Sequence, residues 1–214
     1  MERARAGVTL IEFMVVVAII GTVVASGAFQ MGSWMADARV KASARAVADI
    51  FQVARSEAIR SGSVHLVVFQ KALGGDREML VVNDGPVGAM NCSVEADEIV
   101  HRASLERGVS WGTSTLQSNG ALAPEDQGRA PMAAPSGSSF SDATQLATNP
   151  ATWVAFAPDG IPRLFTPTAC AVLGRAGQAT GGIYLTNQRR DHAIVLSPLG
   201  GVRIHAWNGS SWTL

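Results

Sequence analysis

The chain has 214 residues with seventeen basic and seventeen acidic side chains, so net charge alone selects no nucleic-acid or other polyanionic partner. Two cysteines are too few for a disulfide-built scaffold, and the four histidines (65, 101, 192, 205) show neither i,i+4 nor H-x-E spacing, so no metal site is expected. The charge is uneven along the chain: residues 63–159 carry five Lys/Arg against eleven Asp/Glu, net −6, whereas residues 160–214 carry five Arg against Asp191 alone, net +4.

Residues 1–7 are short and polar, with Arg3 and Arg5. From Val8 to Ala36 the chain is almost wholly apolar, and Glu12 is its only formal charge. Phe13 to Ala36 is twenty-four residues without any, about 36 Å as a helix and enough to cross a hydrocarbon core of about 30 Å. Arginines ahead of such a segment stay in the cytoplasm, which places the C-terminal bulk across the membrane. A secretory signal peptide is the competing reading, with Ala25-Ser26-Gly27-Ala28 as its cleavage stretch. The run is too long for a signal core, however. A carboxylate in the bilayer also costs about 2.5–3.5 kcal/mol, which marks it as functional.

The segment Gly7-Val8-Thr9-Leu10-Ile11-Glu12-Phe13 resembles the class III signal peptide of type IV pilins and type II secretion pseudopilins. That resemblance implies a prepilin peptidase that cuts after Gly7 on the cytoplasmic side and methylates Val8. Glu12 would then be neutralised in a low-dielectric setting by the N-terminal amine of a neighbouring subunit, a pairing that sets the register of one helix on the next. Two positions depart from the family pattern: Val8 stands where Phe or Met is usual, and Phe29 where a mid-helix proline is frequent.

No proline occurs before Pro86, so nothing breaks the helix at the membrane surface. From Val40, apolar residues recur at Ala44, Val47, Phe51, Ala54 and Ala58, one stripe of a helix that Gly62 ends. The stripe predicts packing on a sheet, with a coiled-coil partner as the alternative. Near its end, Ala54-Arg55-Ser56-Glu57-Ala58-Ile59 resembles a segment of the GspH/FimT group of pseudopilins and minor pilins, with Arg55 and Glu57 read as structural.

Beyond Gly62 the pattern turns strand-like. Strands are expected over 63–69 and 78–83 around a Gly74-Gly75-Asp76 turn, then over 98–103. Residues 112–150, rich in Ala, Ser, Gly, Pro and Thr, read as a mobile surface loop. Strands over 152–156 and 161–165 flank Pro158-Asp159-Gly160, and 183–186, 193–196 and 202–207 complete a meander. Two arrangements fit Cys92 and Cys170: a disulfide worth about 3–4 kcal/mol if this region lies outside the cytoplasm, or two buried thiols.

Chemistry has few candidates. Gly108-Val109-Ser110-Trp111-Gly112 fits the G-x-S-x-G of hydrolase elbows, but that chemistry needs a buried strand before the serine and a helix after it. Glu95, Asp97 and Glu98 read as a solvated acidic loop. Arg189 and Arg190 sit in an expected turn, and Arg203 lies on the last strand near Trp207, with Trp212 beyond. Arginine pairs phosphate and indole stacks on bases. Some FimT-like minor pilins are similar in capturing DNA with a basic C-terminal region. Gly201-Val202-Arg203 keeps one of the two arginines of their motif.

The sequence thus predicts an α+β protein, a long N-terminal helix packed on an antiparallel sheet head. Its expected parts are a leader (1–7), a transmembrane and filament-core helix (8–36), an amphipathic continuation (37–62) and a periplasmic β-rich head (63–214) with its loop around 112–150. No catalytic constellation and no cofactor are expected. The resemblance implies a minor pseudopilin of a type II secretion system in the bacterial inner membrane. Its partners would be prepilin peptidase, other pilin-type subunits and secreted substrate; the alternative is a FimT-like type IV minor pilin that binds DNA for uptake or supports pilus assembly.

Overall fold

The computed structural model describes residues 9–69, 77–95, 98–126, 137–140, 152–166, 170–173 and 180–214. The expected turn at 74–76 lies outside them, as do Asp97 and parts of the 112–150 segment. The chain divides into two compact units, Met1–Ala38 and Arg39–Leu214. One helix, α1 (Leu10–Ser61), supplies the described part of the first unit and continues into the second.

In the first unit the helix leaves its large apolar side chains exposed, among them Leu10, Phe13, Ile20 and Val24. A helix apolar all round must find an apolar environment beyond its own chain. This one is long and apolar enough to cross a membrane.

Among the described residues, the second unit holds the rest of α1 and eleven strands in two antiparallel sheets. The first sheet has the order β3-β2-β1-β5-β6-β7. Its strands are β1 (His65–Phe69), β2 (Glu78–Asn83), β3 (Ile99–Ser104), β5 (Trp153–Phe156), β6 (Pro162–Thr166) and β7 (Ala171–Leu173). The second sheet has the order β11-β10-β9-β8-β4. It comprises β4 (Ser110–Trp111), β8 (Gly181–Thr186), β9 (Asp191–Leu196), β10 (Val202–Trp207) and β11 (Trp212–Thr213). The expected single meander is therefore two sheets, because the chain leaves the first sheet after β3, pairs β4 with β8, and returns at β5. Three short strands, β4, β7 and β11, have no counterpart in the sequence pattern.

The anticipated stripe Val40, Ala44, Val47, Phe51, Ala54 and Ala58 is buried against the inner faces of both sheets. Val67, Phe69 and Phe156 meet it from one sheet, and Ile183, Leu185 and Ile194 from the other. Phe51 lies 6.3 Å from both Phe140 and Phe156, ring centre to ring centre. At the far end of the helix two turns close on it. Gly160 (φ +72°) is so near Ile59 that an added Cβ would stand 2.6 Å from its Cδ1. Arg55 reaches the Gly200 carbonyl at 3.4 Å, giving it the structural place its sequence position suggested.

The segment expected as a mobile surface loop is built into the second sheet where it is described. Residues 113–126 cover that sheet's outer face, where Ala123 packs with Tyr184, Ala193, Val195 and Trp212. Ser138 bridges to Ile183, and Phe140 is buried in the central core. Small and polar residues there reflect close packing on backbone and buried hydrogen bonds, which sequence composition does not distinguish from solvation.

Candidate functional site

The N-terminal elements come first. Gly7 and Val8 lie outside the described residues. Thr9 precedes the first turn of α1, and its hydroxyl accepts from the Glu12 amide at 3.3 Å. The Thr9 amide in turn donates to Glu12 Oε2 at 3.5 Å. This is a reciprocal capping box, which satisfies donors that a helix start leaves open. The role of Thr9 was missed, although T-x-x-E ahead of an apolar run is a readable signature of it. Glu12 itself is exposed in the first helical turn.

The three C-terminal arginines do not form one patch. Arg189 and Arg190 are exposed in the turn between β8 and β9, where both amides donate to Asn187 Oδ1. Arg203 pairs across the ladder with Val195, five residues beyond Arg190, so the length of β9, roughly 17 Å, separates it from that turn. Arg203 is also engaged in an ion pair with Glu125 from the covering segment. Glu125 additionally faces the buried His205, Nε2 to Oε2 at 3.8 Å. The indoles offered for stacking are occupied with each other. Trp212 packs edge-on against Trp207 (5.3 Å) and Tyr184 (5.7 Å) and donates Nε1–H to the Ala121 carbonyl at 3.0 Å.

Cys92 and Cys170 are joined in a disulfide across 78 residues of sequence. Asp84 lies beside it and accepts from the amides of Asn91 (3.2 Å) and Cys92 (2.8 Å). The ligand-type atoms of Asp84, Cys92 and Cys170 lie within 4.8 Å of one another, but the two sulfurs are bonded to each other and offer no thiolate to a metal.

Ser110 belongs to the two-residue edge strand β4, and its hydroxyl donates to the Thr186 carbonyl at 3.4 Å. Neither a buried strand before it nor a helix after it supports a nucleophile elbow.

Two carboxylates under the covering segment, the buried Asp191 and the half-buried Asp126, had no local sequence signal. Asp191 is fully buried and accepts from the amides of Ser114 (3.1 Å) and Ser118 (3.1 Å) and from the Ser118 hydroxyl (2.7 Å). Asp126 Oδ2 accepts from the Tyr184 hydroxyl (2.5 Å) and the Ser139 hydroxyl (2.6 Å). Burial, and then the Asp126 charge, push the Tyr184 phenol far above its ordinary value. These groups hold the covering segment to the sheet.

Residues 3–28 match the prokaryotic N-terminal methylation motif. The N-terminal segment thus carries a methylation motif of the type IV pilin kind. Among solved structures, the chain is similar to the type IV minor pilin FimU of Pseudomonas aeruginosa strain PAO1. The two share 10% identity and a TM-score of 0.41, over 81% of this chain and 92% of that one. No curated protein matches the chain.

Proposed function

We propose that this chain is a minor pseudopilin of a type II secretion system. It is cut after Gly7, methylated on Val8, held in the inner membrane by residues 8–36 and assembled with other subunits through Glu12. The observation that carries the reading is the methylation motif leading straight into one unbroken helix, apolar and exposed first, then buried under two sheets. Residues 37–62 then serve as the helix that the head is built on, and 63–214 as a periplasmic head that meets other subunits or secreted substrate. The motif and the helix packed on two sheets fit a subunit that works by assembling.

The alternative, a type IV minor pilin that takes up DNA, is favoured by the exposed Arg189-Arg190 turn. It is weakened by the engagement of Arg203 with Glu125.

Processing is the first test: Gly7→Leu should leave a precursor of unreduced length, and normal maturation of that variant would falsify the cleavage site. Glu12→Ala should still insert in the membrane yet be under-represented in filaments. Wild-type incorporation would remove the assembly role. Crosslinking the full chain in cells to type II pseudopilins or to pilus subunits separates the two machines. Salt-sensitive duplex-DNA binding that is lost in an Arg189/Arg190/Arg203 alanine variant would move the reading to the second.

A further inference from the structure

The second unit has two chemically different ends. At one end the chain arrives: the loop between β3 and β4 is pinned there, its Glu106 amide donating to Ser43 Oγ at 2.9 Å. The Arg77 guanidinium ties the same loop through the Val109 carbonyl at 3.2 Å. Strand β4 follows and pairs Ser110 with Thr186, which brings the turn at 187–190 beside that loop. At the other end lie the turns around Gly160 and Gly200, packed on Arg55 and Ile59.

The charges sort by end. At the far end each of three arginines holds a carboxylate: Arg60 with Glu57, Arg163 with Asp159, Arg203 with Glu125. At the arrival end, Arg39, Lys41 and Arg45 are exposed on α1, and Arg107, Arg189 and Arg190 are exposed on the two neighbouring loops. Against these six stand four acids, the exposed Glu106 and Asp49, the half-buried Glu78 at the start of β2 and, just upstream in the chain, Asp37.

Sequence distance then selects a partner. The uncharged run ends at Ala36, and Arg39 follows three residues later, about 4.5 Å of helix. Trp34 is 71% exposed just before that boundary, as expected of a residue at headgroup level. A chain anchored by this run holds its cationic end within reach of lipid headgroups at high effective concentration.

We infer that the arrival end of the head docks on anionic phospholipid headgroups of the leaflet from which the helix emerges. The inference rests on the membrane-anchored reading given above. Each arginine near an anionic surface shifts such docking by roughly fivefold. Docking gives the subunit a parked state on the bilayer, from which assembly must lift it.

The test is amide hydrogen exchange on the full chain in nanodiscs of phosphatidylcholine, or of phosphatidylcholine mixed with phosphatidylglycerol. The amides of 105–109 and 187–190 should exchange roughly fivefold or more slowly in the anionic discs. Protection should vanish at raised salt and in an Arg107→Gln/Arg189→Gln/Arg190→Gln variant, while Arg60→Gln at the other end leaves it intact. Equal exchange in both discs overturns the proposal while leaving anchoring in place. A chain that enters neither disc overturns the anchored reading, and docking with it. Protection by duplex DNA in neutral discs, without protection by anionic lipid, also overturns it and assigns the face to nucleic acid.

Discussion

The two sheets of the head bury their inner faces on the same helix, but their outer faces are covered in different ways. Over the first sheet, Met90, Cys92 and Val94 pack on the cluster that contains Leu66, Leu80 and Val82, and the disulfide from Cys92 to Cys170 fastens the cover. Over the second sheet, the segment from Thr113 to Asp126 is held by hydrogen bonds to Asp191 and by the contact of Asp126 with Tyr184. One cover is secured mainly through the unfolded chain, whose freedom a crosslink removes. The other is secured by buried polar groups, which stabilise only while every partner is present.

Breaking the disulfide should have the largest effect. For a separation of 78 residues, its loss costs about 4.5 kcal/mol on the chain-entropy account. A Cys92→Ser/Cys170→Ser variant in detergent should show a matching fall in unfolding free energy by urea titration. Hydrogen exchange should place the new opening at 90–94 and leave 114–123 protected. Equal loosening of both segments would erase the distinction between the covers.

Asp191→Ala comes next, at about 3 kcal/mol, because it strands buried donors from Ser114 and Ser118. Here the exchange pattern should invert, with 114–120 opening and 90–94 unchanged. Asp191→Asn keeps an acceptor and should cost less.

Tyr184→Phe should cost about 1 kcal/mol, since it removes the acceptor of the Ala123 amide and the donor to Asp126. The wild-type group has its own signature, because Tyr184 is the sole tyrosine in the chain. Its folded pKa is raised, so the stability it adds is full below the unfolded value of about 10 and is lost as pH rises beyond that. Tyrosinate absorbance should therefore appear together with unfolding. A titration near pH 10, complete while the fold persists, would remove the buried network.

These covers also mark the limit of what the sequence discloses. The helix was legible from its period, and β2 and β10 to the residue, because turn signals bracket β-branched runs. The division into two sheets was not. Strands β1, β8 and β9 are buried on both faces, so they lack the alternation that would tell an inner face from an outer one. Two-residue strands such as β4 have no period at all. The same holds for the site: Gly7 and Glu12 stand out because a motif is local. Asp191 takes its meaning from Ser114 and Ser118, which lie more than seventy residues away and come into contact only on folding.

The smallest effect falls on the layer that both covers share. His65 is buried at the start of β1, with Nδ1 3.4 Å from the Ser63 carbonyl. Burial holds its pKa below the ordinary value, against the opposing pull of the Ser63 carbonyl and Glu57, while Arg60 adds a small push downward. The neutral ring is thus the form that the fold prefers. Its contribution is full above the unfolded pKa of about 6.5 and is lost as pH falls through the lower folded value. His65→Gln should flatten that part of the stability profile in urea titrations across mild acid. Because His65 acts on the first strand of the shared core and on neither cover, mild acid should speed exchange at 90–94 and 114–123 to the same degree. If only one segment responds, the two covers are coupled unequally to the core, and the contrast between them begins beneath the sheets.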